Sequence, residues 1–522
     1  MQGRKNYQEK LFTQFQLSQK VPEGNFYRRL REQLDLRWLY KKTKKYYGSE
    51  GQKSIDPVVF FKLILIGYLE NLGSDRRIIT TVSMRLDMLY FLGYDLDEEL
   101  PWHSTLSRTR QLYSEEVFKI LFRKVLSQCI DKGMVSGRRQ AVDSVPVKAN
   151  ASMNSLARKE VLKDAEDYAA SLKGDDEAIS IHKDNTNDDQ TVSASKNKSV
   201  EQHHKWKAKE YEGMPGGSDE RSKFLSNHTH YSTTDRDARV SVKPGKARQL
   251  NYHAQVSVDT ASHVITNIEA HRADKKDSQC LASVIKNTKD NLQQNGLIVE
   301  ELLADAGFSS GEALKALEAH NITGYIPNFG QYKNTREGFT YYSDGDYYRC
   351  EKDALLLYKK TYTDKKGYEK KQYRSSALDC KQCPLKNKCI GSSNEKKIED
   401  TVDKPFYDRM HERLQSAYAK QMKKIRSATV EPVLGTLTNF LSMRRVNTRG
   451  LKAANKCMLM AAVAYNLKKL LRFTAPKALA DVKRLERKEE KSLQRLVLTI
   501  QHFIDSCSIK NYLLKFQPYS RS

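Results

Sequence analysis

The sequence predicts an α/β protein: a mixed sheet with helices on its faces, preceded by an all-α region and interrupted by a cysteine-containing insertion. Three observations carry this. The stretch QLNYHAQVSVD from Gln249 alternates apolar and polar residues, with Leu250, Tyr252, Ala254, Val256 and Val258 on one face of a strand. From Arg139 onward, strand patterns alternate with helical ones in the order β-β-β-α-β-α-β. Before Arg139 the periodicity is helical throughout.

The elements follow in order. Residues 1–50 are basic and aromatic, with Leu and Trp spaced for an amphipathic helix suited to DNA contact. The run SIDPVVFFKL from Ser54 starts a buried helix, with Asp56 to cap the free amides and Pro57 at the first helical position. Helices are expected after Ser74, in PWHSTLSRTR from Pro101 with Ser104 as cap, and after Ser114. Several short helices with Arg108 and Arg110 on one of them suggest a helix-turn-helix arrangement for binding DNA. The expected divisions are a helical DNA-binding domain (1–135), the first part of the core (136–328) with a loosely structured insertion (151–235), a Cys-rich subdomain (329–405), the final core helices (406–473) and a basic helical tail (474–522).

The bulk numbers narrow the function classes. The chain has 522 residues and a formal net charge of +26, which favours a polyanionic partner, nucleic acid before an anionic membrane. No stretch approaches eighteen consecutive apolar residues, and the start lacks an apolar signal-peptide core, so a cytoplasmic protein is expected. Its cysteines are then reduced or metal-bound rather than paired.

Three acids stand out by position. Asp143 lies in a short strand, RQAVDSVPV from Arg139. Asp305 closes the strand in LIVEELLADAGF from Leu297. Glu431 precedes a proline in RSATVEPVLG from Arg426, where it is expected to flank a helix that opens at Pro432. Two Asp and one Glu would form an oxygen cage for two Mg²⁺ or Mn²⁺ ions, which activate a nucleophile and stabilise a leaving oxygen in phosphodiester cleavage. The chain carries 64 acidic residues, so spacing alone does not select these three. Lys423, Lys424 and Arg426 precede Glu431, and Arg444 and Arg445 follow it, where a phosphate backbone would lie. Cys380, Cys383 and Cys389, in CKQCPLKNKC, with Cys350 upstream supply four soft ligands for a structural Zn²⁺; four reduced thiols in a loop region are the bland alternative.

These motifs in this order resemble the bacterial insertion-sequence transposases of the DDE class, which have a ribonuclease H-like catalytic core. The resemblance rests on SIDPV from Ser54, SDRR from Ser74, PWHSTLSRTR, AVDS from Ala141, NYHAQVSVD from Asn251, ADAGF from Ala304, RSATVEPVLG, RGL from Arg449, AYNL from Ala464 and CKQCP from Cys380. It covers most of residues 10–472. It implies a ribonuclease H-like mixed sheet in which the strands of Asp143 and Asp305 are neighbours, and Asp143, Asp305 and Glu431 as the metal-binding triad. It further implies Mg²⁺ or Mn²⁺, cleavage at element ends, transfer of a 3′-hydroxyl to target DNA, and end binding by the helical N-terminal region. A homodimer or higher multimer on double-stranded DNA, near the nucleoid, follows by analogy. One departure stands out: many relatives carry a basic residue seven positions after the Glu, and here it is Thr438. A catalytically inactive DNA-binding derivative of a transposable element is the alternative.

Overall fold

The computed structural model describes residues 15–48, 50, 54–158, 227, 230–241, 248–328, 330, 332, 334–364 and 367–473. Most of the 151–235 insertion and the tail beyond Phe473 lie outside the described residues.

Among the described residues eight α-helices come first: α1 (Leu17–Lys20), α2 (Phe26–Gln33), α3 (Trp38–Thr43), α4 (Pro57–Leu69), α5 (Asp75–Ser83), α6 (Leu86–Leu92), α7 (His103–Leu112) and α8 (Glu115–Asp131). Helix α4 begins as its sequence dictates, with the Asp56 carboxylate accepting from the amides of Val58 and Val59 and Pro57 in the first turn. Helix α7 starts at His103, one residue before the Ser104 expected to cap it. Helix α6 stops at Gly93, whose φ of 90° needs the absent Cβ.

The sheet follows. Strand β1 (Arg139–Lys148) leads to a short ribbon, β2 (Leu156–Arg158) with β3 (His230–Ser232), then β4 (Arg239–Ser241), β5 (Gln249–Asp259) and β6 (Ile265–Arg272). Helix α9 (Asp277–Gln293), β7 (Glu301–Leu303), α10 (Gly311–Ala319) and β8 (Thr323–Tyr325) complete it. The six-stranded order is β4-β5-β1-β7-β8, with β6 also on β5. Strand β1 runs antiparallel to β5 and parallel to β7, and β7 parallel to β8. The expected apolar face of β5 is buried, but so are Gln255, Ser257 and Asp259 on the other face. Helix α9 covers that face and supplies partners to two of these residues: the Ser257 and Thr288 hydroxyls lie 2.8 Å apart, and Gln255 Nε2 donates to Asp277 Oδ1 at 2.7 Å.

The stretch after β8, expected to interrupt the pattern, is itself ordered as a five-stranded antiparallel sheet. It comprises β9 (Phe339–Tyr342), β10 (Tyr347–Cys350), β11 (Leu355–Thr363), β12 (Glu369–Ser375) and β13 (Lys397–Thr401), paired sequentially. Two short helices, α11 (Ala377–Lys381) and α12 (Lys386–Cys389), lie between the last two strands.

Three helices end the described chain: α13 (Lys404–Leu414), α14 (Ala417–Phe440) and α15 (Leu451–Arg472). Here the structure corrects the sequence. Helix α14 passes through Glu431 and Pro432 without a break, so Glu431 sits in mid-helix and not at a helix start. Pro432 lacks the N–H that the Ala428 carbonyl would receive, a loss tolerated on this exposed face while Val430, Val433 and Leu437 are buried beneath it. Helix α15 is buried on nearly every side and packs against α8, α4 and β6. It joins the N-terminal helices and the six-stranded sheet into one apolar core. Its Asn466 amide both accepts from Ile265 N at 3.0 Å and donates to Ile265 O at 2.9 Å. Among the described residues no helix is long and apolar enough to cross a membrane.

Candidate active site

The parallel pairing of β1 with β7 sets Ala141 opposite Leu303. Two residues further along each strand direction come Asp143 and Asp305. Asp143 is largely buried, its side chain 18% exposed. Its Oδ1 accepts from the Ser144 amide at 2.7 Å, and its Oδ2 from Arg426 Nη1 at 3.0 Å. Burial pushes its carboxyl above the ordinary range; the nearby Asp305 charge pushes the same way, while Arg426 and the Ser144 amide pull down. Asp305 caps a one-turn 3-10 helix, Ala306–Phe308, its Oδ1 accepting from Gly307 N at 3.0 Å. Glu431 projects from α14 with its side chain 63% exposed, and its Oε1 lies 3.9 Å from Arg426 Nη2. One guanidinium therefore bridges two of the three acids, and the third acts electrostatically on Asp143.

Two neighbours were not legible in the sequence. Arg426 was expected to face DNA, yet it is turned onto Asp143. Asp277, in the first turn of α9, is a fourth carboxylate: a Cβ at Gly307 would lie 3.1 Å from Asp305 Oδ1 and 3.5 Å from Asp277 Oδ2. The local pattern around Asp277 looks like any helix start, so nothing in the sequence linked it to Asp305.

The remaining cations divide. Lys423, Lys424, Arg444 and Arg445 are exposed on α14 and just after it. Arg445 pairs with Lys148 in an isolated parallel bridge, and its Nη2 donates to Asn150 Oδ1 at 2.9 Å, so this stretch runs along the end of β1. Arg108 is exposed on α7. Arg110 is not available to DNA: it is 6% exposed and makes two hydrogen bonds to Asp75, at 2.7 and 3.0 Å. The physical reason is helix phase, since Arg110 falls on the buried side of α7 beside Leu106.

Cys350, Cys380, Cys383 and Cys389 line one cavity of about 400 Å³, with Ser375, Asp379 and Lys396 on its wall. None is in a disulfide. The Sγ of Cys380 lies 3.0 Å from the Ser375 hydroxyl.

Both donor sets suit the ions expected of them by chemistry: carboxylate oxygens for a hard divalent cation, and thiols for zinc. The acids already hold one cation, the Arg426 guanidinium. As the side chains lie, no group of three or more His, Cys, Asp or Glu among the described residues is arranged to hold a metal ion.

Two family descriptions match the sequence: "Transposase domain (DUF772)" over residues 15–112 and "Transposase DDE domain" over residues 349–471. The second includes Glu431 but neither Asp143 nor Asp305. No curated protein matches. Among solved structures, the Mos1 transposase paired-end complex with left transposon end matches at 11% identity, over 55% of this chain and 65% of that one. Its TM-score is 0.15. Over these two segments the chain is similar to transposases, the second of the DDE class.

Proposed function

We propose that this chain is a transposase that binds the ends of its element and performs metal-dependent DNA strand cleavage and strand transfer, with Asp143, Asp305 and Glu431 as the metal ligands. The observation that carries the reading is the parallel pairing of β1 with β7, which puts two acids at the same end of adjacent strands, near the helix of Glu431. The strand order β6-β5-β1-β7-β8, antiparallel then parallel, supports a ribonuclease H-like core. Two bound Mg²⁺ or Mn²⁺ ions would supply an activated oxygen nucleophile and stabilise the leaving oxygen. The chain's part is positioning. Asp143 is held by the sheet and by the Ser144 amide, Asp305 by the turn it caps, and Glu431 by a long helix. Lys423, Lys424, Arg444 and Arg445 would hold the phosphate backbone of double-stranded DNA beside them, and Arg108 would serve the same end on the helical region. A homodimer or larger assembly in the bacterial cytoplasm, at the nucleoid, is part of the same proposal.

The test uses the full chain, duplex DNA carrying the element's own ends, and Mg²⁺. The wild type nicks the duplex. Asp305→Ala lowers cleavage by more than about 100-fold, beyond the range lost with outer-shell partners of a metal, and leaves DNA binding intact. Normal cleavage by that variant sinks the assignment. One observation favours a second reading, a DNA-binding derivative without catalysis. Thr438 offers no cation, and its hydroxyl is turned into its own helix, donating to Leu434 O at 2.9 Å. Wild-type binding without nicks would support that alternative.

The four cysteines form the other half of the proposal, a structural Zn²⁺ site. Their convergence on one cavity from β10, α11 and α12 supports it. Metal analysis of the purified full chain is expected to give one zinc per chain, lost in the double substitution Cys380→Ser with Cys383→Ser. A zinc-free wild type with an intact fold would leave the cysteines as plain thiols.

A further inference from the structure

We infer that Arg426 is an internal counter-cation that keeps divalent metal out of the acid site until DNA draws it away. This rests on reading Asp143, Asp305 and Glu431 as metal ligands, and goes beyond it by assigning the order in which the site is filled. The guanidinium donates to Asp143 Oδ2 at 3.0 Å and approaches Glu431 Oε1 at 3.9 Å. The other Asp143 oxygen is taken by the Ser144 amide at 2.7 Å. Asp143 thus has both oxygens engaged, one of them by a full positive charge. A divalent ion using Asp143 and Glu431 together must come up against that charge, and like charges at contact distance repel strongly where water is sparse. Water is sparse here, for the Arg426 side chain is 14% exposed and that of Asp143 18%.

The mount makes displacement possible. Arg426 and Glu431 sit five residues apart on α14, so the arginine can leave Asp143 by side-chain rotation without moving the helix. Glu431 is held only loosely and is mostly exposed. A guanidinium binds phosphate as well as carboxylate, through the same planar fork. Lys423 and Lys424, exposed on the same helix, would bring a DNA backbone within its reach. Once Arg426 transfers to a phosphate, Asp143 Oδ2 is released to bind metal. DNA and metal then load cooperatively, and metal alone meets a site already neutralised from within.

Mn²⁺ titration of the full chain, with free ion read by electron paramagnetic resonance, tests this without any turnover. Without DNA, Arg426→Gln is expected to bind Mn²⁺ at least tenfold more tightly than wild type. Adding Asp143→Asn to that variant should abolish the gain. Arg426→Lys, which keeps the charge, should stay near wild type. A mixed-sequence DNA duplex, with its own Mn²⁺ binding subtracted, should tighten the wild type and leave Arg426→Gln unchanged. Circular dichroism checks folding, and Arg426→Met replaces the Gln variant if that chain does not fold. Equal Mn²⁺ affinity in wild type and Arg426→Gln, lost in both with Asp143→Asn, overturns the counter-cation and leaves the triad standing. Absence of Asp143-dependent binding in every variant overturns both.

Discussion

The main body and the sheet of β9–β13 are held together by different forces. The body has one continuous apolar core, running from Tyr27 and Phe61 in the N-terminal helices through α15 to β1, β5 and α14. The smaller sheet has four buried apolar side chains at its centre, Tyr348, Leu356, Tyr373 and Ile398. Its outer face leaves Leu355 and Leu357 43% and 52% exposed. Directed polar bonds take up the work. Tyr348 donates to Asp400, and Asp346 accepts from Tyr341, Tyr373 and Lys371 at 2.7 to 2.8 Å. The difference follows from size: a small unit buries too little apolar surface and relies on oriented bonds and staples. A thiolate-bound zinc would be such a staple.

Perturbing each region separately tests that contrast. The largest effect is expected from Phe61→Ala. Phe61 stacks on Tyr113 with ring centroids 5.9 Å apart and packs edge-on against Phe118 at 5.0 Å. Its loss should cost about 3–5 kcal/mol in denaturant unfolding of the body, with little change in amide exchange across β9–β13. Equal protection loss in both regions would show that they are one cooperative unit. Tyr348→Phe should do the reverse, costing about 1–3 kcal/mol by stripping a buried partner from Asp400. Exchange should quicken in β10–β13 and not in α15.

A smaller effect probes a polar pair inside the body. Burial would lower the His271 pKa from 6.5, but hydrogen bonds to Cys280 and Glu269 outweigh it and lift it to about 9. A raised histidine value means that the charged form favours the fold. Its contribution is complete below about pH 6.5 and disappears as pH rises through about 9. His271→Gln should flatten this part of the urea-midpoint profile, and an unchanged profile would remove the pair from the account. Smallest is Lys423→Ala, which should reduce the slope of log affinity for duplex DNA against log salt by about one, without altering stability.

Local chemistry wrote much of this fold plainly. The Asp56–Pro57 start of α4, the alternation of β5 and the acid closing β7 all follow from adjacent residues. What escaped depends on distant packing. Pro432 reads as a break, yet the helix is carried through it by the apolar side of α14, so Glu431 gained a different mount. Arg110 and Arg426 look like surface cations in sequence; one is buried on Asp75 and the other on Asp143, partners 35 and 283 residues away. Asp277 lies near Asp305 only because α9 begins beside the turn after β7. The β9–β13 sheet was hidden because its strands are rich in Lys and Tyr and satisfy their polar groups within the sheet.

Helix α15 has a consequence for how the chain comes into being. It is the last described element, yet it fills the space between helices built from residues near 60 and 120 and a strand near 268. During synthesis, the earlier segments must wait with their apolar sides uncovered until residues 451–472 emerge. That long interval is an opening for chaperones, and a ribosome stalled before Leu451 would release a product prone to stick to its neighbours.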